Sequence, residues 1–290
     1  MGPCVAFQGE PGAFSEEAVE RAFENPHGVP CATFDDVFAR VQDGDVTRAV
    51  IPIENAVFGS VRVNYDHLRT HDVTIVGELQ LRIRHHLLAP DGASVDRIRT
   101  VCSHAQALGQ CRAWLNTHVP KAETQATPDT AGAARQVASK GDPSMAAIAS
   151  RRAADQYDLS ILADQLEDDA ANFTRFLILA PDADGAPQEG ERPYKTSLAI
   201  VLQKNVPGAL FKGLAVFALR ELDLLKIESR PLVGHPGRYR FYLDVEGSVE
   251  DEPVARALEH LREITRDLQI LGSYSQGPRY GESAAEGSGP

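Results

Sequence analysis

The chain lacks several features that mark common protein classes. Only four cysteines occur in 290 residues, and none forms a Cys-x-x-Cys pair, so we expect reduced thiols rather than a disulfide framework or a zinc site. No run approaches the roughly 20 apolar residues that a membrane-spanning helix needs. Residues 1–20 also lack the basic and apolar regions of a signal peptide. We therefore expect a cytoplasmic protein with no membrane partner.

An excess of positive charge is absent as well. The sequence has 29 Lys and Arg residues against 41 Asp and Glu residues, which gives a formal net charge of −12. Because nucleic acids and anionic membranes bind positive surfaces, we expect neither as a partner. A hydrophobic content of 43% is enough for at least one sizeable core, and the length predicts two domains.

Three well-known catalytic signatures are missing: the dinucleotide fingerprint, the P-loop and the Gly-x-Ser-x-Gly elbow. The turn at residues 9–12 contains glycines but not the spacing of a phosphate-binding loop. His67 and His71 have i,i+4 spacing, yet Leu68 stands where a zinc protease helix has its Glu. We interpret the His pair as an ordinary helix surface and predict no metal site.

What the sequence does contain is a regular alternation of short apolar runs and amphipathic segments as far as residue 180. This alternation predicts a largely parallel, doubly wound α/β sheet with helices on both faces. A long strand-like stretch at residues 77–89 predicts a crossing into a second lobe, with a cleft between the lobes. The predicted strands are residues 5–7, 49–53, 73–76, 98–102, 145–149 and 173–179, and the predicted helices are residues 15–23, 105–116, 130–139 and 151–157.

The pattern changes after residue 180. Residues 181–193 are rich in Pro, Gly and acidic residues and predict a linker or exposed loop. The elements that follow have the order β-α-β-β-α-β, the ferredoxin-like arrangement, within about 80 residues. They are predicted at residues 196–202, 207–217, 222–229, 237–246 and 253–268, with a final strand from Ile270.

Polar residues interrupt one predicted strand at a position where apolar residues flank them. Asn172, Thr174 and Arg175 open the run at residues 170–180. Burial of such groups without partners costs about 1–3 kcal/mol for each neutral group and more for a charge. The cluster therefore indicates a cleft where polar groups face a ligand, or a strand end where they satisfy local backbone groups.

Two further polar segments follow predicted strands. Glu54 and Asn55 stand at the end of a strand, where open α/β sheets bind their ligands, although they are also suited to a plain turn. Ser103 and Gln106 open a helix, with Gln110 one turn further along its face. A helix N-terminus suits an anion, and the hydroxyl of Ser103 can also cap the helix.

Taken together, these segments resemble the prephenate dehydratase family. The matching stretches are residues 54–55, 103–111 and 172–176, and residues 12–16 are similar to the family's first motif. Ala56 replaces a hydroxyl residue that is frequent in the family. Likewise, Ala105 replaces a frequent Pro, and neither change removes a group that the implied chemistry needs.

The C-terminal part of the chain extends the resemblance. Residues 205–210 and 228–231 look like the phenylalanine-binding motifs of the ACT regulatory domain in that family. The resemblance implies a two-lobed catalytic region like a periplasmic binding protein, then a ferredoxin-like ACT domain, in a homodimer or homotetramer. We expect a monofunctional chain with a catalytic region at residues 1–181, a linker at 182–194, an ACT domain at 195–276 and a disordered tail at 277–290.

The activity that the resemblance implies is decarboxylative dehydration of prephenate to phenylpyruvate, carbon dioxide and water, in L-phenylalanine biosynthesis. It needs no cofactor, and L-phenylalanine is expected to inhibit it through the ACT domain. Two alternatives stay open. One is arogenate dehydratase, which shares nearly all of these motifs, and the other is a non-catalytic amino-acid sensor.

The resemblance also implies roles for individual residues. Thr174 is the expected hydrogen-bond donor to the leaving hydroxyl, although a threonine hydroxyl is too weak an acid to protonate it alone. Arg175 is expected to clamp a carboxylate, with an ion pair to Glu54 or another acid as the alternative. Substrate orientation is assigned to Glu54, Asn55 and Gln110, and substrate binding to Ser103, Gln106, Asn172 and Phe176. Phenylalanine binding is assigned to Asn205, Pro207, Gly208, Ala209, Leu210, Glu228, Ser229, Arg230 and Pro231.

Overall fold

The computed structural model describes residues 2–181, 193–232 and 234–281, and the strands within these ranges form three sheets. The helices are α1 (Phe14–Ala22), α2 (Phe34–Gln42), α3 (Arg62–Thr70), α4 (Ala105–Gln110), α5 (Arg112–His118), α6 (Thr130–Lys140), α7 (Arg151–Tyr157), α8 (Ala209–Ala218) and α9 (Glu252–Ile264). The strands are β1 (Cys4–Gln8), β2 (His27–Cys31), β3 (Arg48–Asn55), β4 (Gly59–Ser60), β5 (Val73–Arg82), β6 (His86–Ala89), β7 (Thr100–His104), β8 (Glu123–Thr127), β9 (Met145–Ala149), β10 (Ser160–Ala163), β11 (Phe173–Pro181), β12 (Tyr194–Leu202), β13 (Leu224–Pro231), β14 (Tyr239–Glu246), β15 (Thr265–Ser275) and β16 (Arg279–Tyr280).

The first sheet has the strand order β16-β5-β11-β3-β1-β2, with β4 beside β3. It is mixed rather than largely parallel: β1 is parallel to β2 and β3, whereas β11 is antiparallel to both β3 and β5. The reason is the chain path, because β11 returns from the second lobe and enters the first sheet in the reverse direction. This insertion brings the start of β11 beside the end of β3.

The second sheet has the order β10-β6-β9-β7-β8 and is also mixed. The predicted crossing between lobes is confirmed, because β5 belongs to the first sheet and β6 to the second, with residues 83–85 between them. The predicted helix at residues 105–116 is two helices, since Cys111 between α4 and α5 has φ −110° and ψ 17°. Asp129 caps the start of α6 by accepting a hydrogen bond from the Gly132 amide.

The third sheet is antiparallel, with the order β13-β14-β12-β15. Together with α8 and α9 it has the β-α-β-β-α-β order that the sequence predicts. The fold class is therefore confirmed: two α/β sheets followed by a ferredoxin-like unit. One face of this sheet packs on α8 and α9 through residues such as Leu198, Phe217 and Leu258. Its other face packs on the first sheet through Tyr242, Leu271 and Tyr274.

Two predicted boundaries near the C-terminus differ from the structure. Helix α9 ends at Ile264 rather than at residue 268, because the residues from Thr265 onward pair with β12. The predicted tail begins at residue 277, but residues 277–281 are described and include β16, which pairs with β5 and forms one edge of the first sheet. The rest of the predicted tail and residues 182–192 of the predicted linker lie outside the described residues.

In the described part of the chain, no helix is long and apolar enough to cross a membrane.

Candidate active site

A cavity of about 460 Å³ lies between the first and second sheets. It is lined by the ends of β1, β3 and β11 from the first sheet, and by α4 and the β8–α6 connection from the second. This is the edge of the strands where open α/β sheets place their ligands. The polar side chains that line it are Gln8, Ser15, Asn55, Ser60, His85, His104, Gln106, Gln110, Asp129, Thr130 and Thr174.

A hydrogen-bonded pair joins the two strands at the floor of the cavity. Thr174 on β11 is paired in register with Asn55 on β3, and the Asn55 Nδ2 atom donates to Thr174 Oγ1 over 3.0 Å. The Asn55 Oδ1 atom is occupied by the amides of Val57 and Phe58, which fixes the orientation of the side-chain amide. Because Thr174 Oγ1 accepts from Asn55, its own O–H remains available as a donor.

The pair extends into a chain of side-chain amides. Asn172 Oδ1 accepts from Asn55 over 2.8 Å and from Gln110 over 3.2 Å. Gln110 Oε1 in turn lies 2.6 Å from Nε2 of His85. Since a carboxamide oxygen only accepts, the His85 Nε2 atom carries the proton. Four side chains from both lobes thus hold Thr174 in one orientation.

His85 is the ionisable member of this chain. Its side chain is buried, and its ring packs edge-on against Phe14 at 5.4 Å. Burial lowers the pKa of His85 below its ordinary value, although the bond to Gln110 opposes the shift. The imidazole is therefore neutral at pH 7, and the cavity gains no positive charge from it.

The described residues that line this cavity offer an anion only neutral donors. None of the described residues that line it is Lys or Arg. Helices α1 and α6 begin at the cavity, where Phe14 and Thr130 line its wall. The first amides of a helix lack intrahelical partners and carry partial positive charge, so helix N-termini favour anions.

The turn before α1 explains the glycine in the first motif. Gly12 has φ +89°, and a Cβ atom there would lie 2.8 Å from Ala153 Cα in α7. A larger residue would therefore separate the two lobes at this contact. The Ser150 hydroxyl donates to the Gly12 carbonyl over 2.6 Å, which ties the same turn to the second lobe.

The prediction that Arg175 clamps a substrate carboxylate is wrong in this geometry. Alternation along β11 places Thr174 and Phe176 toward the cavity and Arg175 on the opposite face. Its guanidinium donates to Glu78 and Asp244, each at 2.6 Å, and to the hydroxyl of Tyr274 at 3.1 Å. The alternative from the sequence, a partner for buried acids, is what the structure contains.

Glu54 and Ser103 also lie away from the cavity. Glu54 precedes Asn55 on β3 and faces the third sheet, where its carboxylate pairs with Lys226 at 2.5 Å. Ser103 is fully buried and donates to the carbonyl of Ile148 over 2.6 Å. Neither residue reaches the substrate space, so the substrate roles assigned to them are corrected to structural ones.

The remaining predicted residues do come together. Asn55, Gln106, Gln110, Thr174 and Phe176 line the cavity, and Asn172 binds two of them from beneath. Other residues that line the cavity were not predicted from the sequence. Most of them lie close to the end of a strand or in the segment that crosses between the lobes. They are Ser15, His85, His104, Asp129 and Thr130.

A second cavity, of about 330 Å³, lies in the C-terminal unit. Four residues with predicted phenylalanine contacts line it, namely Asn205, Gly208, Ala209 and Leu210, together with Lys204, Tyr239 and Phe241. Gly208 is the N-cap of α8 with φ +80°, a left-handed conformation that favours glycine. The helix N-terminus there suits a carboxylate.

The second predicted motif does not line that cavity within one chain. Glu228, Ser229, Arg230 and Pro231 lie on β13, which is an edge strand. The Glu228 carboxylate accepts from the Ser60 hydroxyl over 2.8 Å. Within one chain Glu228 therefore does not line this cavity, and its assignment to phenylalanine binding stays a prediction. Pro207 is also not among the residues that line the cavity.

Comparisons with known proteins agree with this arrangement. The prephenate dehydratase family model matches residues 5–184. The arogenate dehydratase/prephenate dehydratase 2 of Arabidopsis thaliana is 47% identical over 281 residues, which cover 93% of this chain and 72% of that protein.

Two solved structures are similar over almost the whole chain. Prephenate dehydratase from Arthrobacter aurescens, in complex with L-Phe, has a TM-score of 0.87 and 32% identity, with 94% of this chain and 90% of that chain covered. GqqA, described as a novel type of quorum quenching acylase, has a TM-score of 0.84 and 34% identity, with 94% and 98% covered. From the family match and the Arabidopsis relative we conclude that the chain belongs to the prephenate dehydratase family and is a hydro-lyase.

Proposed function

We propose that this chain converts prephenate to phenylpyruvate, carbon dioxide and water in L-phenylalanine biosynthesis, under inhibition by L-phenylalanine. The observation that carries the proposal is the bond from Asn55 to Thr174, which leaves the Thr174 proton free at the cavity. A dehydratase needs a donor at the leaving oxygen. The ordered amide chain supplies such a donor in a fixed position.

The reaction balances with one proton from solvent. The bond from the ring to its carboxylate breaks, and its electron pair enters the ring as carbon dioxide leaves. The ring becomes aromatic as the bond to the hydroxyl breaks, and the departing hydroxide takes a proton to become water. Thr174 donates a hydrogen bond to that oxygen as its charge develops, a kind of contact worth about 10²–10³ in rate.

The substrate's two carboxylates require groups that bind anions. Helices α1 and α6 begin at the cavity, and the exposed side chain of Gln106 lines it. Neutral donors of this kind hold a carboxylate without forming a permanent ion pair. This supports a site that binds a dianion and releases a monoanionic product.

Arogenate is the second candidate substrate, because the Arabidopsis relative is named for both activities. Arogenate carries an ammonium where prephenate has a keto group. The carboxylate of Asp129 lines the cavity and could receive that ammonium, although its Oδ1 atom also caps α6. An acylase activity is the third candidate, because GqqA covers nearly the whole chain at 34% identity.

One set of assays separates these candidates. Purified full-length protein is given prephenate, arogenate or an N-acylated amine, and phenylpyruvate, phenylalanine or free amine is measured. We expect the highest kcat/KM for prephenate. A higher value for arogenate would reassign the substrate, and release of amine without either dehydration would replace the proposal with acylase activity.

Inhibition by phenylalanine is proposed to begin at the cavity beside α8. The N-terminus of α8 would receive the carboxylate, and Phe241 with Leu210 offers apolar contact for the ring. The Arthrobacter relative was solved with L-Phe. A second copy of this chain would supply the Glu228–Pro231 motif, because the edge strand β13 exposes apolar Leu225 and Ile227.

The signal would travel through β13. Its residues Lys226, Glu228 and Arg230 alternate onto one face of the strand. Lys226 contacts Glu54 on β3 at 2.5 Å. Glu228 contacts Ser60 on β4 at 2.8 Å, and Arg230 contacts Asp66 on α3 at 2.6 Å. Ser60 lines the cavity between the first and second sheets, so a shift of β13 on phenylalanine binding would move part of the wall of that cavity.

A further inference from the structure

A cluster of three potential metal ligands lies on the helices that cover the first sheet. His67 belongs to α3, His71 follows its last residue, and Asp35 lies in the first turn of α2. The His67 Nδ1 atom is 3.5 Å and the His71 Nε2 atom 3.8 Å from Asp35 Oδ1. One ligand atom from each residue lies within 4.8 Å of the others. The spacing of the His pair alone predicts an ordinary helix surface. The third potential ligand, Asp35, belongs to another helix, so the spacing along α3 does not reveal it.

Hydrogen-bond partners orient the ring of His71. Its Nδ1 atom lies 3.2 Å from both the carbonyl oxygen of His67 and the hydroxyl oxygen of Thr70. When Nδ1 donates to the carbonyl, which only accepts, Nε2 presents a lone pair toward Asp35. A backbone carbonyl that orients one imidazole nitrogen is the usual support for a metal-binding histidine.

The carboxylate of Asp35 has no other task among the described residues. The neighbouring Asp36 forms the capping box of α2 with Thr33, so Asp35 is not needed as a cap. Asp35 is 73% exposed, and it has no hydrogen-bond partner in the part of the chain that the structure describes. A lone pair of His71 and a carboxylate oxygen that face each other repel unless a proton or a metal cation lies between them.

Aromatic packing partly buries the two imidazoles. Phe38 stacks on His67 at 5.1 Å and contacts His71 at 5.3 Å, and the two His side chains are only 17% and 15% exposed.

We propose that His67, His71 and Asp35 bind one divalent first-row transition-metal ion, of which Zn²⁺ is the best fit. Two imidazoles and a carboxylate suit this class, with water completing a tetrahedral site. Ligand atoms in such a site are about 3.3 Å apart for bonds of about 2.0–2.1 Å. The two separations from Asp35 are close to this value, and the separation between the two His ligand atoms, which lies within 4.8 Å, would shorten to it as the ion binds.

The ion would tie α2 to α3. Phe34 at the start of α2 and Val61 just before α3 line the cavity between the first and second sheets. Metal binding between these helices would therefore stiffen one wall of that cavity. The site itself lies outside the substrate space, so its role is structural rather than chemical.

The test uses full-length protein freed of metal with a chelator. Zn²⁺ binding is measured by calorimetry, and Co²⁺ is added as a spectroscopic probe whose visible absorption reports coordination geometry. We expect one equivalent per chain, and Asp35→Asn, His67→Gln and His71→Gln to weaken binding at least about 10-fold. Asp43→Asn and His27→Gln, which change exposed residues elsewhere, serve as controls and should bind like the wild type.

Asp35→Asn is the decisive variant because its exposed side chain is not needed for folding, which circular dichroism can verify. The proposal is overturned if Zn²⁺ does not bind saturably, or if all three variants bind it as tightly as the controls. Because no substrate is present, these outcomes are independent of whether the chain acts on prephenate.

Discussion

Thr174 and Arg175 are adjacent in the chain, yet they serve different parts of the molecule. The pleat of β11 turns Thr174 toward the cavity and Arg175 toward the third sheet. The sequence shows that both are polar residues in a buried strand, and it cannot show which face borders a ligand. That choice depends on β3 and on the third sheet, which are distant in sequence.

Asn55 provides a test of how the Thr174 proton is directed. In Asn55→Asp the new carboxylate would accept from Thr174, so the hydroxyl proton would turn away from the substrate. We expect kcat on prephenate to fall about 100-fold, the scale of one lost donor, with a small change in KM. Asn116→Asp, an exposed substitution on α5, is the control, and an unchanged kcat in Asn55→Asp would contradict the assigned orientation.

His85 should make stability depend on pH. Burial lowers its pKa in the folded state, whereas the unfolded chain has the ordinary value of about 6.5. Between these values the unfolded state binds more protons, so the free energy of unfolding decreases as the pH falls below about 6.5. Urea unfolding at pH 7.5 and 5.5 should show a smaller loss in His85→Gln than in the wild type, and equal losses would count against this role.

At the scale of elements, the sequence predicted the order of the C-terminal unit and most strands of the first two sheets. It missed β2, β4, β8, β10 and β16, which have at most five residues each, and four of the five residues of β8 are exposed. It also missed that β11 pairs antiparallel within the first sheet, because strand direction depends on the path of the whole chain. Local sequence patterns predict where helices and strands lie, whereas tertiary packing decides which strands pair and in which direction.

The ion cluster between β11 and the third sheet should stabilise the fold. Arg175, Glu78 and Asp244 are 12%, 5% and 9% exposed, so Arg175→Ala would leave buried carboxylates with fewer partners. We expect a loss of about 3 kcal/mol in the free energy of unfolding. Arg240→Ala, whose partner Asp267 is half exposed, should cost less than about 1 kcal/mol.

Urea unfolding of both variants checks this expectation. If Arg175→Ala is as stable as the wild type but raises KM for prephenate, then Arg175 binds substrate after all.

Strand β13 is the element expected to carry inhibition. Asp66→Asn removes the ion pair with Arg230 at the end of the contact row, while the residue lies outside the cavity lining. We expect the inhibition constant for phenylalanine to rise about two- to thirtyfold, the range of 0.5–2 kcal/mol for such coupling changes. Asp72→Asn, an exposed change between α3 and β5, is the matched control. Equal inhibition constants for both variants and the wild type would exclude transmission through β13.

For the whole molecule, the proposed inhibition requires that phenylalanine bind the cavity beside α8. Phenylalanine that binds the folded state should raise the thermal midpoint of the wild type. In Gly208→Val the positive φ is strained and the start of α8 is altered, so this rise should be lost. Gly92→Val, at a loop glycine with φ +81° and open space around it, controls for strain alone and should keep the full rise.

The claim at the centre of the account is that Thr174 donates to the leaving oxygen in a prephenate dehydratase site. The most direct measurement is steady-state formation of phenylpyruvate from prephenate by the wild type, Thr174→Ser and Thr174→Ala. We predict that serine keeps a turnover within about 10-fold of the wild type, whereas alanine loses about 10²–10³. Near-normal turnover by a folded Thr174→Ala protein would contradict the account.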